Sequence, residues 1–219
     1  MGRRVSTSVA VILLVAAGHT AAATTFTAEI TDQDGKPVPN AVVSLVPESK
    51  TAMPAASSRL PNEKTIDQRS ETFVPIVTIV PRNGRVIFAN SDPTTHQVYS
   101  FSPAKQFEIT LARDTSSPPI VFPNAGVAAL GCNIHDNMIA YVFVTAAPFF
   151  GRTDARGQWR AADVQDGRYR VRVWHPLLNE SREVEGTVGV SGARGTLELK
   201  LSRALRPAPL GSRPHTWDY

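Results

Sequence analysis

A single cysteine, Cys132, stands in 219 residues, so no disulfide can form within the chain, and core packing or a bound metal must hold the fold. Aromatic residues are scarce at 7%, charged residues make up only 19%, and long amphipathic stretches of helical period are missing. That combination argues against a helical bundle. No lysine or arginine cluster is interleaved with aromatics, which disfavours nucleic acid as a partner. The sequence also lacks a Gly-x-Ser-x-Gly elbow and a Ser/His/Asp order, so a hydrolase is a poor reading and no enzymatic activity is expected. What is present is a 42% hydrophobic share, too high for wholesale disorder, with seventeen prolines and fourteen glycines. Valine and threonine are common, and the pattern is one of short strands joined by turns.

The first residues follow the three-part plan of a secretory signal: Arg3-Arg4, an apolar run from Val9 to Ala17, and the small residues Ala21-Ala22-Ala23. Cleavage is expected after Ala23. The apolar run falls short of the ~20 residues that span a bilayer, so the mature chain is expected to be exported, periplasmic or secreted, with no membrane span. Loss of Arg3 and Arg4 brings the formal charge from +4 to +2. Residues 24–146 carry nine basic against eleven acidic side chains, and 147–219 carry twelve against eight. The change of sign supports two domains.

Strand signals begin with TFTAEIT, the turn Asp32-Gln33-Asp34-Gly35, and AVVSLV. Residues 47–72 are polar and rich in Ser, Pro and Ala, and read as a long surface loop. IVTIV (76–80), VIFAN (86–90), QVYSF (97–101), FEITLA (107–112), VAALG (127–131) and AYVFV (140–144) then follow at the spacing of a two-sheet antiparallel sandwich. Beyond Ala147-Pro148, the alternating stretches TDARGQWRA, GRYRVRVW and GTLELKLS suggest a second, smaller sandwich. The expected division is a signal at 1–23, a first sandwich at 24–146, a small module at 147–204 and a flexible tail at 205–219.

The segment Gly131-Cys132-Asn133-Ile134-His135-Asp136-Asn137-Met138 puts a thiol, an imidazole and a thioether in one short turn between two strands. Taken singly, Cys132 reads as a small buried hydrophobe, His135 as a structural histidine and Met138 as the first core residue of the next strand. Together they are soft and borderline ligands at Cys-x-x-His-x-x-Met spacing. One cysteine and two histidines with a weak axial methionine mark a blue-copper site. His96, at the end of the turn Asn90 to Thr95, is the natural second histidine. Zinc is the rival metal, and the methionine argues against it.

These residues resemble the cupredoxins, and more narrowly the plastocyanin/amicyanin branch, in which a histidine after a strand and turn is followed by a Cys-x-x-His loop, an axial Met and a closing apolar strand. With GKPVPNAVVSLVP, Ile66-Asp67-Gln68, THQVYSFSP and LGCNIHD-x-M, residues 24–176 are similar to bacterial proteins of the "methylamine utilization protein" type. The resemblance implies an all-β fold, a cupredoxin-like Greek-key sandwich followed by a smaller one, and one copper ion held by His96, Cys132, His135 and Met138. Two departures stand out: Gln97 replaces an Asn that ties the ligand loops together, and Gly131 replaces an aromatic before the cysteine. Thr153 to Pro176 is similar to carboxypeptidase-regulatory or transthyretin-like modules, where Trp174 and His175 read as structural.

Such a protein is expected to pass single electrons between a donor dehydrogenase and an acceptor such as a c-type cytochrome. The alternatives are copper delivery or storage, and a secreted β-sandwich interaction module with a vestigial metal site.

Overall fold

A computed structural model describes residues 25–49, 62–178, 183–191, 194–201 and 205. The expected signal segment, residues 50–61 of the polar stretch and residues 206–219 of the tail lie outside the described residues. The strands are β1 (Thr25–Thr31), β2 (Val42–Pro47), β3 (Glu63–Gln68), β4 (Phe73–Val74), β5 (Val77–Pro81) and β6 (Gly84–Asn90). They continue as β7 (His96–Ser102), β8 (Lys105–Leu111), β9 (Thr115–Ser116), β10 (Ile120–Phe122), β11 (Gly126–Cys132) and β12 (Ile139–Thr145). The remainder are β13 (Phe149–Arg152), β14 (Gln158–Ala161), β15 (Gly167–Trp174), β16 (Val184–Val190) and β17 (Arg194–Lys200). The fold is all-β, and among the described residues no helix is long and apolar enough to cross a membrane.

Period-two patterning builds these strands, because successive side chains point to opposite faces of a sheet. In β1, Phe26, Ala28 and Ile30 are fully buried while their neighbours are not. In β15, Tyr169, Val171 and Val173 face inward, and Arg168 and Arg170 face water. Four sheets result, two for each of two sandwiches. One sandwich joins β10-β6-β3-β4, with β9 on β6, to β5-β12-β11-β7-β8, around a core that includes Phe88, Val98, Phe122, Leu130 and Val142. The other joins β14-β1-β17 to β13-β2-β15-β16, around Phe26, Ile30, Leu45, Tyr169 and Val171.

The strand pairing does not divide at 146/147, where the sequence suggested a boundary. β1 lies between β14 and β17, and β2 between β13 and β15, so residues 25–47 belong to the same sandwich as 149–200. The sandwich that carries His96 and Cys132 occupies 63–145 and is inserted into the other. The physical reason is cover: the fully buried face of β1 needs a sheet opposite it, and β2 and β15 supply that face through Leu45 and Val171. A second correction concerns the polar stretch 47–72. Its last residues form β3, a strand inside its sheet with Ile66 and Gln68 fully buried, paired in parallel with β6 along its whole length. Charged Glu63 and Asp67 on the other face, and Lys64 at the strand's start on the same face as Ile66, disguise it. A third is the pairing sense. β3–β6, β5–β12 and β1–β17 are parallel, so three of the four sheets are mixed, and only β13-β2-β15-β16 is antiparallel throughout.

The two sandwiches meet at a small apolar junction of Val42 and Trp174 from one side and Ile76, Val77 and Phe143 from the other. The Trp174 ring lies 5.5 Å from that of Tyr141 and 5.6 Å from that of Phe143. His175, next in sequence, is 4% exposed and accepts a hydrogen bond at Nδ1 from the Leu177 N–H, 3.1 Å away. Burial pushes its imidazole down to about 4 from the usual 6.5, against a smaller opposing effect of a hydrogen bond to the Pro39 backbone. Above pH 6.5 neither folded nor unfolded chain holds this proton. Between 6.5 and about 4 the unfolded chain takes it and the folded chain does not, so stability falls with acidification, by about 3 kcal/mol at the lower end. His175→Gln is expected to flatten the dependence of the urea midpoint on pH across that window, and an unaltered slope would assign the acid sensitivity elsewhere.

Candidate metal centre

β6 ends at Asn90, a buried amide that shapes the turn leading into β7. Its Nδ2 donates to the carbonyls of Thr94 (2.9 Å) and Leu111 (3.0 Å), and its Oδ1 accepts from the Asp92 N–H (3.0 Å). This turn delivers His96 as the first residue of β7, 1% exposed. β7 pairs antiparallel with β11, with Val98 opposite Cys132 and Tyr99 opposite Gly131, so the ends carrying His96 and Cys132 lie side by side. Cys132 closes β11 and is buried. The chain then reverses through 133–138, closed by a hydrogen bond of 3.0 Å from the Met138 N–H to the His135 carbonyl.

His96, Cys132 and His135 thereby converge, with one donor atom from each lying within 4.8 Å of the others. Cys132 Sγ is 3.7 Å from His96 Nδ1, and the two imidazole rings lie 5.1 Å apart at 55°. His135 Nδ1 is buried with no hydrogen-bond partner among the described residues. An orphaned buried nitrogen beside a thiol and a second imidazole is costly for a structural histidine and fits a metal ligand. Met138 is 1% exposed and packs in the same core cluster as Cys132.

The far nitrogens of both rings face carboxylates. His96 Nε2 lies 2.9 Å from Asp92 Oδ2, and His135 Nε2 lies 3.8 Å from Glu71 Oε1. Burial raises the pKa of the Asp92 carboxyl. The backbone N–H of Glu71 at 2.8 Å, the His96 side chain and the backbone N–H of Ser70 outweigh it and hold the group below the usual carboxylate range. An ionised carboxylate can only accept, so Nε2 is the donor in this pair, and Nδ1 is the ring nitrogen facing Cys132. Ser70 and Glu71 adopt φ of 53° and 56°, a left-handed conformation that costs non-glycine residues roughly 1–2 kcal/mol each.

The two departures from the cupredoxin pattern have local explanations. Asn133 Nδ2 donates to Gln97 Oε1 at 2.5 Å, and Gln97 Nε2 donates to Glu108 Oε1 at 2.6 Å, so Gln97 ties the two ligand-bearing segments together. At Gly131 a Cβ would stand 2.6 Å from the Tyr99 ring, which fills the space over the residue before the cysteine. A side chain at 131 would have to displace the outer end of the half-buried Tyr99 ring.

Sequence reading did not find Asp92, Ser70 or Glu71. Asp92 could have been noticed, since it lies four residues before His96 in the same turn. The role of the Ser70–Glu71 backbone had no signal, because left-handed positions are marked by Gly or Asn and neither stands there.

No protein-family model matches this chain, and no curated protein matches it. Among solved structures it is similar to a copper-containing nitrite reductase from Thermus scotoductus SA-01, with 22% identity over 39% of this chain and 22% of that one and a TM-score of 0.36. This chain thus spans about a fifth of the length of the reductase. It is also similar to a purple cupredoxin from Nitrosopumilus maritimus (20% identity, 37% of this chain and 98% of that one, TM-score 0.33). A mutant of amicyanin in its reduced state matches at 16% identity over 47% of this chain and 99% of that one, with a TM-score of 0.35.

Proposed function

We propose that this chain is a blue-copper electron carrier, with His96, Cys132, His135 and the thioether of Met138 as the ligands. The observation that supports it most is the convergence of three donor atoms within 4.8 Å, one of them the thiol of the chain's only cysteine. Two imidazoles and a thiolate suit both zinc and copper, and a buried thioether three residues after His135 tilts the set toward copper. Bound there, copper would supply a change of one electron. The residues themselves perform the rest: Asn90 and the Asp92 carboxylate fix the orientation of His96, and the strand pairing Val98–Cys132 sets the thiol beside it. A carrier of single electrons needs no acid, base or nucleophile, so we infer no catalytic residues.

Electrons would enter and leave at His135. Its side chain is 22% exposed against 0% for His96, and Ile134 beside it is an exposed apolar residue. Such an edge suits a brief encounter, burying under ~1,200 Å², with a donor dehydrogenase and an acceptor such as a c-type cytochrome. The expected N-terminal signal assigns this exchange to the periplasm or the exterior.

Titration of the metal-free protein with Cu(II) tests the reading. An intense visible charge-transfer band at one equivalent is expected; its absence would overturn the electron-carrier reading. Rapid loss of the ion to a chelator would instead favour delivery or storage. Within the carrier reading, Met138→Leu is expected to retain copper and raise the midpoint potential, because removing an axial electron donor disfavours Cu(II) relative to Cu(I). Voltammetry showing no shift would return Met138 to a packing role.

A further inference from the structure

Residues 69–72 form a tight turn, closed by a hydrogen bond of 2.9 Å from the Arg69 N–H to the Thr72 carbonyl, and two of its residues serve opposite sides of the metal centre. The backbone N–H groups of Ser70 and Glu71 point into the Asp92 carboxylate, whose Oδ2 faces His96 Nε2. The side chain of Glu71 faces His135 Nε2. Asp67 clamps the turn to the His96 segment, accepting from the Ser91 N–H and Oγ while pairing with Arg69. Two successive left-handed non-glycine residues are an unfavourable way to build a simple reversal, and strain of this kind persists only where the surroundings enforce it. Here it aims consecutive N–H groups at one carboxylate, a concavity suited to an anion.

We propose that the 69–72 turn is an outer-sphere device for both histidines. It holds the Asp92 carboxylate against the far nitrogen of His96 and presents its own Glu71 carboxylate to that of His135, which orients both rings and strengthens them as donors. This rests on the metal-centre reading given above. Asp92 and Glu71 are positioning residues. A carboxylate accepting from the distal N–H makes the imidazole a stronger donor and favours the more highly charged ion, as Asp92 does at 2.9 Å from His96; Glu71, 3.8 Å from His135 and outside hydrogen-bond distance, acts through its charge, and both hold Cu(II) more firmly than Cu(I). Asp92, buried and gripped by two N–H groups, has the larger effect, and Glu71, longer in reach and more exposed, the smaller.

Two measurements on the full chain separate the device from the site it serves. In the metal-free protein, ¹⁵N spectra of the imidazoles are expected to show His96 as the Nε2–H tautomer. Finding the Nδ1–H form would overturn the Asp92 assignment whatever the metal chemistry. In the copper-loaded protein, Asp92→Asn is expected to weaken Cu(II) binding at least ~10-fold while changing Cu(I) binding less. A selective tenfold loss corresponds to a rise in midpoint potential of about 59 mV for one electron. Glu71→Gln, on an exposed side chain, is expected to shift the potential in the same direction by less, with circular dichroism unchanged. If the wild-type chain shows the blue band but neither variant moves the potential, the proposal is wrong and the metal reading stands. If Asp92→Asn does not fold, the wild-type tautomer and the Glu71→Gln potential decide. A wild-type chain with no band but with the Nε2–H tautomer would retain the carboxylate–imidazole arrangement while overturning its role toward copper.

Discussion

Replacing Cys132 with serine is expected to abolish the blue charge-transfer band and to weaken copper binding by more than ~100-fold, beyond the 10–100-fold that follows loss of an outer-sphere partner. The band arises from a thiolate, and a serine hydroxyl stays protonated at neutral pH, where it is a poor ligand for a soft ion. The fold should survive. Serine fits the volume of Cys132, and its hydroxyl would stand near His96 Nδ1, 3.7 Å from Sγ in the native protein, where a hydrogen bond can limit the cost of burying it to about 1 kcal/mol. Visible absorption and circular dichroism, read on the same sample, check both halves. A blue Cys132→Ser protein would remove the thiolate from the ligand set.

Ending the chain after Ala147 is expected to have a comparably large effect, on a different part of the molecule. The ligand-bearing sandwich, 63–145, keeps all its strands and all four proposed ligands, and should still take up copper. The other sandwich loses β13 to β17 and cannot form. Phe26, Ala28, Ile30, Val43 and Leu45, each fully buried in the intact chain, would then face water. At roughly 1.5–3 kcal/mol per large side chain, that loss exceeds what a two-strand remnant can tolerate. The shortened chain should bind a hydrophobic dye strongly and aggregate. A fragment covering 62–147 alone uncovers only the small junction face of Ile76, Val77 and Phe143 and should do both far less. If the chain ending at Ala147 proves as soluble as the intact protein, β1 and β2 have some other cover.

Much of the fold was visible in the sequence wherever one face of a strand is buried and the other wet. TFTAEIT and GRYRVRVW correspond to β1 and β15 residue for residue. Which strands pair was less visible, because pairing of β1 with β17 depends on contacts across nearly the whole chain and no local pattern encodes it. Strand β3 escaped notice because EKTIDQ buries only Ile66 and Gln68, and a buried glutamine carries no hydrophobic signal. Gln68 earns its place by donating from Nε2 to the Ala89 carbonyl. In the candidate metal centre the grouping of His96, Cys132 and His135 was legible, the first because a histidine at the end of a polar turn between strands is conspicuous and the others from their spacing. The carboxylates behind the imidazoles were not, because they depend on a backbone conformation at Ser70 and Glu71 that their side chains do not announce.

The position of β1 between β14 and β17 has a consequence for the order in which the molecule is made. Chains emerge from their N-terminus, so β1 is among the first described segments to appear and both of its neighbours are among the last. The ligand-bearing sandwich, by contrast, is complete once Thr145 has emerged. It can therefore close while TFTAEIT still waits with two open edges and an uncovered apolar face. An open strand of this composition is a template for pairing with another copy. Over that interval the chain depends on being held apart from its neighbours, and the demand ends only when the last strand arrives beside the first.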